Sequence, residues 1–225
     1  MPLLAFRGLL RIRNLALILV PAVALGLFAL ALQDRVDPRI AAGAIAVAIV
    51  PAPLVATGVV ARLRGRMDLT GALCLGTIIV SLLVVGSRGA LAAGALFVAL
   101  EVYAIAAMIA GAIPPLRDLL LPVLRVVGWL AFAVVLVNGA MSSQLVEPLA
   151  FVVAFALLAI GVAVAYGVAL VTAREPLAAI AGAGLRDPAL AVALATITAG
   201  PDATGVPLSY AVFCVVLTGL ARLAR

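Results

Sequence analysis

The chain has 225 residues and a formal charge of +6, and 67% of its residues are hydrophobic while only 11% are charged. A soluble domain of this size is roughly half apolar and a quarter charged, so the composition excludes a soluble globule and predicts an integral membrane protein. At about 20 residues for each crossing, there is room for about nine or ten spans and none for an extramembrane catalytic domain.

Apolar runs bounded by charged residues, proline or glycine predict eight membrane spans. In chain order they cover residues 14–32, 39–61, 69–87, 90–113, 119–139, 148–171, 176–199 and 206–223. Arginines precede the first run, but it is too long for the apolar region of a secretory signal, and we interpret it as a retained helix. The expected fold class is therefore all-helical, with eight transmembrane helices.

All 15 basic residues are arginine, and their distribution tests the number of spans. With the N-terminus in the cytoplasm, the cytoplasmic arginines are Arg7, Arg11, Arg13, Arg62, Arg64, Arg66, Arg117, Arg125, Arg174, Arg222 and Arg225. Only Arg35, Arg39 and Arg88 then lie outside, and Arg186 falls within the seventh span. Because cytoplasmic loops carry an excess of basic residues, the bias predicts a protein of the cell (inner) membrane with both termini cytoplasmic. Orientation in the membrane also accounts for the positive charge, so nucleic-acid binding is not expected.

Helix-breaking residues interrupt the second and seventh spans near mid-depth. Those of the second span are Pro51, Pro53 and Gly58. Those of the seventh are Gly182, Gly184 and Pro188, around the polar residues Arg186 and Asp187. Proline removes a backbone donor, so each break is expected to leave unpaired amides and carbonyls, which are tolerated only within protein or beside a watery cavity. For either break alone, a packing kink is the alternative.

Spans one to three and six to eight form two triplets, each with its broken helix in the centre. In the predicted topology the two triplets run in opposite directions across the membrane. Inverted repeats with discontinuous helices at matching positions are typical of secondary transporters, whose sites lie near the membrane midplane.

Both broken regions resemble the bile acid/sodium symporter family, which includes arsenite exporters. Residues 182–216, with a Gly-x-polar-polar turn, an Ala/Leu-rich half helix and a proline before the last span, are similar to the family's second crossover helix and final helix. Residues 50–81 are similar to its first crossover helix, basic loop and following helix, and Pro53 and Asp68 keep the family's spacing. The resemblance implies a core with two crossed, broken helices that moves against a panel of helices by alternating access.

The resemblance also implies a domain organisation. The family usually has ten helices, and the eight spans match the last eight, so the first two panel helices are absent. Residues 1–87 and 146–225 would form the core, and residues 88–145 would form a partial panel. Either a second subunit, such as another copy of the chain, supplies the missing half, or the panel is incomplete.

The family's sodium ligands are not matched in this chain. The family has Gly-Gly and Ser-Asn in the first crossover helix, and a Glu followed four residues later by a Gln in the second. At these positions the chain has Leu54-Val55, Gly58-Val59, Gly182 and Arg186. None of these side chains ligates a cation, and a guanidinium repels one, so no sodium, other metal or cofactor is expected.

Arg186 costs at least about 3 kcal/mol at the bilayer centre unless something compensates its charge. In one interpretation it pairs with Asp187 in a neutral structural lock. In the other it forms an anion site together with the amide end of the half helix after Pro188. The candidate substrate-binding residues are Arg186, Asp187, Gly182, Gly184, Pro188, Pro53 and Gly58.

Glu101 interrupts the fourth span and is the candidate for a coupling proton, although a structural or cavity-lining role is the preferred interpretation. No nucleophile with a base, phosphate loop or metal motif is present in the sequence, so enzymatic activity is not expected. The leading hypothesis is a sodium-independent carrier of a small organic or inorganic anion. The alternative is a degenerate, non-transporting membrane subunit that pairs with a partner supplying the missing helices.

Overall fold

The computed structural model describes residues 12–53, 56, 60, 63, 65–86, 133–134, 137, 141 and 147–223. These residues form helices and connecting turns, and no strand occurs among them. The helices are α1 (Ile12–Leu32), α2 (Pro38–Ile49), α3 (Met67–Gly86), α4 (Pro148–Val171), α5 (Pro176–Ala179), α6 (Pro188–Ala199) and α7 (Gly205–Leu223). A π-helical turn, Ile180–Gly184, continues α5, and a 3-10 turn, Pro201–Thr204, joins α6 to α7.

Four segments of the described chain are long and apolar enough to cross a membrane. They are Ile12–Leu32, Asp68–Val85, Pro148–Val171 and the interrupted Pro176–Ala199, with mean hydropathies between 1.5 and 2.7. On α1, apolar side chains such as Val23 and Leu27 are more than half exposed, at 56% and 64%, which suits contact with lipid. By length and composition, the helices are consistent with a multi-pass membrane protein.

The described helical segments match the first, third, sixth, seventh and eighth predicted spans to within two residues at each end. The second predicted span is continuous helix only to Ile49. The fourth and fifth predicted spans, and with them the partial panel at 88–145, lie outside the described residues apart from a few positions.

A two-residue signal begins four of the helices: an acidic residue at the N-cap followed by proline in the first turn. The pairs are Asp37-Pro38, Glu147-Pro148, Glu175-Pro176 and Asp187-Pro188. Proline fits this position because its missing N–H has no helical partner there and its φ angle is already helical. An acidic residue beside the free amides of the first turn is favoured by the helix dipole.

The packing of the described helices centres on α2 and α4. α1 contacts α2, α3 and α4, while α2 also contacts α6 and α7, and α4 contacts α7. Leu25, Val47, Leu157 and Tyr210, from α1, α2, α4 and α7, belong to one buried cluster. The described parts of the second and seventh predicted spans are thereby placed in the interior, where their breaks are enclosed by neighbouring helices.

Polar contacts join connecting segments at each end of the helices. Arg39, in the first turn of α2, lies 3.7 Å from the Asp202 carboxylate in the turn between α6 and α7. Arg66, just before α3, donates its backbone N–H to the Glu175 carboxylate before α5, at 2.6 Å. In the arginine-based topology the first pair lies outside and the second inside, so each contact joins segments predicted to share a side.

Candidate functional site

The break in the second span begins after Ile49 and includes residues 51–53. α2 ends at Ile49, Val50 is extended with φ −63° and ψ 151°, and residues 51–53 are not helical. Pro51 and Pro53 lack a backbone donor, so a regular helix cannot continue through both of them without losing hydrogen bonds. The predicted interruption is therefore present.

Side chains of α3 satisfy the backbone groups that this break leaves free. Thr77 Oγ1 accepts from the Ala52 amide at 3.0 Å, and the Ser81 hydroxyl donates to the Ile49 carbonyl at 2.6 Å. The Cys74 thiol donates to the Pro53 carbonyl, with 3.8 Å between sulfur and oxygen. The expectation that the break exposes unpaired amides and carbonyls is wrong at these three groups, because α3 presents polar side chains at helical spacing to them.

The break in the seventh span has a different form. Residues 180–184 make a π-helical turn, closed by a hydrogen bond from the Leu185 amide to the Ile180 carbonyl at 2.9 Å. Leu185 is extended, with φ −83° and ψ 154°, and Asp187 then caps α6. π-helical turns are rare and are frequently found at functional sites.

Gly182 and Gly184 lie in this turn, are buried and permit close helix contacts. A Cβ at Gly182 would lie 3.0 Å from the Thr70 carbonyl oxygen of α3, and one at Gly184 would lie 2.7 Å from the Gly161 carbonyl oxygen of α4. Gly161 is equally constrained, because its own Cβ would collide with the Gly184 carbonyl oxygen. The structure places these two glycines, which the sequence predicts as substrate-binding residues, against neighbouring helices.

The two breaks meet directly. The Asp187 amide donates to the Pro51 carbonyl at 2.9 Å, which is a main-chain hydrogen bond between one interruption and the other. Around this point Ala52 and Ala56 pack with Ala181 in a small buried cluster. The interrupted segments therefore cross inside the helical assembly.

Asp187 acts as the N-cap of α6. Its Oδ1 accepts from the Ala189 amide at 3.0 Å and from the Leu190 amide at 3.1 Å. The ion pairs of the described residues do not include one between Asp187 and Arg186. The interpretation that Asp187 neutralises Arg186 is therefore wrong in this geometry, and two of the amides predicted to face a bound anion are already taken by the carboxylate.

Arg186 is 1% exposed, and among the described residues it is the largest of the side chains that are fully buried. Its backbone N–H donates to the Tyr210 hydroxyl of α7 at 3.1 Å. In the part of the chain that the structure describes, its side-chain atoms Nε and Nη2 have no hydrogen-bond partner. The guanidinium is thus removed from water without the acceptors that a buried cation requires.

A cavity of about 100 Å³ adjoins Arg186. Its described lining comes from α1, the last turn of α2, α3 and Arg186, and consists of Ala22, Gly26, Ala48, Ile49, Thr77, Val80, Ser81, Val84 and Arg186. Among these residues Arg186 alone is charged. The remaining wall is apolar except for the hydroxyls of Thr77 and Ser81.

Of the predicted site residues that the structure describes, only Arg186 lines this cavity. Pro188 is buried at the start of α6, and Pro53 is half-buried at the crossing. Gly58 and Glu101 lie outside the described residues.

Sequence reasoning missed the polar residues that support the crossing from α3 and α7. Cys74, Thr77 and Ser81 follow one another at intervals of three and four residues within an apolar span, and that spacing was the available signal. Tyr210 carries a hydroxyl in an apolar span, and such a group usually finds a partner when it is buried.

The sequence matches no protein-family model and no curated protein. What the site does chemically therefore rests on Arg186, on the polar face of α3 and on the cavity beside them. A buried guanidinium whose Nε and Nη2 find no acceptor among the described residues favours a negatively charged oxygen ligand over a cation or a neutral apolar molecule.

Proposed function

We propose that this protein carries a small anion across the membrane and that the anion binds at Arg186. The observation behind the proposal is a guanidinium that is 1% exposed, has no partner for Nε and Nη2 among the described residues, and adjoins a cavity. The desolvation penalty of a buried ion is several kcal/mol, and an anion in the cavity would offset it. Ionisable residues at membrane depth usually mark a substrate or ion pathway.

The crossing of two interrupted segments supports transport rather than static binding. In carriers with inverted repeats, the site lies where discontinuous helices meet, and one bundle rocks against the other around it. In this proposal the chain has eight spans and both termini in the cytoplasm. Residues 1–87 and 146–225 form two inverted triplets of a core, and residues 88–145 contribute a partial panel, as the resemblance to the bile acid/sodium symporter family implies.

Sodium has no role in the proposed cycle. The hydroxyls of Thr77 and Ser81 are occupied with main-chain groups of the crossing, and Arg186 places a positive charge beside them. A cation in the same place would be repelled.

The non-transporting subunit remains the alternative function. Its structural lock requires a partner for Arg186 within the crossing, and Asp187 does not provide one, because its carboxylate caps α6. This geometry favours the carrier.

Transport by the purified protein in liposomes tests the proposal. Efflux of radiolabelled formate, lactate, nitrate, phosphate and sulfate is measured in sodium-free buffer and compared with efflux from protein-free liposomes. We expect at least one anion to move faster with protein, and Arg186→Gln to lower that rate at least tenfold. Arg39→Gln is the matched control, because Arg39 is exposed at the end of the helices, and it should leave the rate unchanged.

Thermal unfolding of the same variants separates transport from folding. Removing an unpaired buried charge should not lower the stability of the empty protein, whereas removing one member of a buried ion pair costs about 3–5 kcal/mol. An unstable Arg186→Gln protein, or wild-type liposomes with no anion flux above the background, would favour the non-transporting subunit instead.

A further inference from the structure

The charge in the cavity selects the valence of its ligand. Arg186 contributes one positive charge, and no other described lining residue is charged. A monoanion would bring the buried site to neutrality. A dianion such as sulfate would leave a net negative charge among apolar walls, and such a charge is strongly disfavoured there.

The hydrogen-bond donors of the cavity select the shape of the ligand. The Thr77 hydroxyl donates to the Cys74 carbonyl at 2.8 Å, and the Ser81 hydroxyl donates to the Ile49 carbonyl. Arg186 is then the remaining donor side chain of the described lining. A guanidinium is a planar fork that matches the two oxygens of a carboxylate, whereas four tetrahedral oxygens would find too few donors.

The apolar wall and the volume select the length of the ligand. The rest of the described wall is formed by alanine, glycine, valine and isoleucine from α1, α2 and α3. A cavity of about 150 Å³ holds benzene, which has six carbon atoms. The cavity beside Arg186 has a volume of about 100 Å³, so it fits a ligand of about four or five non-hydrogen atoms. Acetate has four such atoms and propionate has five.

We propose that the substrate is a short-chain monocarboxylate of the size of acetate or propionate. Its carboxylate binds the Arg186 guanidinium, and its alkyl end lies against the apolar wall formed by Ile49 and Val80. This inference rests on the proposed carrier function and narrows it to one class of anion.

Equilibrium binding tests the substrate class without interference from the passive leakage of weak acids through lipid. Binding of [14C]acetate to the purified protein in nanodiscs is measured and then competed with formate, propionate, butyrate, hexanoate, phosphate and sulfate. We expect acetate and propionate to compete best, and phosphate and sulfate to need at least tenfold higher concentrations. Arg186→Gln should lose acetate binding at least tenfold.

Two variants change the size of the cavity in opposite directions. Gly26 lines the cavity, and a Cβ added there meets no atom within 4 Å, so Gly26→Ala fills space without a clash. We expect this change to weaken propionate at least threefold more than formate, while Val80→Ala should shift the preference towards butyrate. Gly167→Ala is the matched control, because it also meets no atom within 4 Å but lies on the exposed face of α4.

The outcomes distinguish this inference from the carrier proposal. Arg186-dependent binding of phosphate or sulfate in preference to acetate would overturn the monocarboxylate and leave the anion carrier intact. A chain-length preference that neither Gly26→Ala nor Val80→Ala changes would also overturn it. The carrier proposal itself falls if neither the five anions of the liposome assay nor acetate and propionate are transported above background in liposomes.

Discussion

Arg186 and Asp187 are neighbours in the chain but have separate structural roles. The backbone on either side is extended, since Leu185 has ψ 154° and Asp187 has ψ 108°. Successive side chains of an extended segment point to opposite faces. Asp187 can therefore cap α6 while the Arg186 side chain lies on the other face, beside the cavity.

Substitution of Asp187 tests its role as a cap. Asp187→Ala removes the acceptor for two amides of α6 and should lower the free energy of unfolding by about 1 kcal/mol. Asp187→Asn keeps an oxygen in the same position and should stay within about 0.5 kcal/mol of wild type, because asparagine caps helices as well as aspartate does. Unfolding by SDS in mixed micelles measures both values. A loss in the Asn variant as large as in the Ala variant would show that the charge matters, and would restore Asp187 as a counter-ion.

Thr77 is the second residue with a defined energetic role, because its hydroxyl oxygen accepts from the Ala52 amide. Thr77→Val preserves the shape but leaves that amide without a partner in a buried position. We expect a destabilisation of about 1–3 kcal/mol in the same unfolding assay. Thr198→Val is the matched control, since the Thr198 hydroxyl only donates back to the Leu194 carbonyl of its own helix, on an exposed face. Equal effects in the two variants would contradict the role given to Thr77.

At the level of elements, contacts between helices stabilise the crossing of the two broken segments, and the helix propensity of individual residues does not. The π-helical turn 180–184 packs against α3 and α4, and small residues let the backbones approach. Interfaces between membrane helices are enriched in small residues for this reason, because lipid offers no hydrophobic force between helices. The break in the seventh span is thus fixed in place by its neighbours.

Two glycines of α4 provide a test of this packing. Gly161→Ala places a Cβ against the Gly184 carbonyl oxygen and should cost about 1–3 kcal/mol, because either helix must move to accommodate it. Gly167→Ala makes the same chemical change on the same helix but meets no atom within 4 Å. It should be neutral or stabilising by up to about 1 kcal/mol, as expected when alanine replaces glycine in a helix. Melting temperatures that fall equally in both variants would contradict the close approach of α4 to the turn.

At the level of the whole molecule, the sequence predicted those features that depend on local composition. Apolar runs ended by charged residues or proline located the long helices, since burial in lipid and the helix-starting effect of proline act within a few residues. The interruptions at Pro51 and at 184–188 were also predicted, and the resemblance to the bile acid/sodium symporter family implied that the two broken segments cross.

Features that depend on the register between distant helices could not be predicted. The polar face of α3 satisfies the first break only because residues 74, 77 and 81 lie at the height of residues 49–53. In the sequence Gly184 indicates only a helix break. The contact that excludes a side chain at Gly184 is with the Gly161 backbone, which is distant in the chain. The acidic residue before proline marks Asp187 as a helix cap, but whether its carboxylate also pairs with Arg186 depends on backbone angles that residue types alone do not specify.

The sidedness of the chain is the remaining property of the whole molecule, and cysteine labelling tests it. Ala173 is exposed in the turn between α4 and α5, next to the end where Arg66 contacts Glu175, and Asp202 is exposed at the end where it contacts Arg39. In a background with Cys74→Ser and Cys214→Ser, a membrane-impermeant maleimide added to intact cells should label Asp202→Cys but not Ala173→Cys. Permeabilised cells should show labelling at both positions. This pattern is required if α6 runs to the outside and α7 returns to the cytoplasm, as the excess of cytoplasmic arginines predicts. Labelling of both positions in intact cells would contradict the crossing of the seventh span, and labelling of Ala173→Cys alone would reverse the predicted orientation.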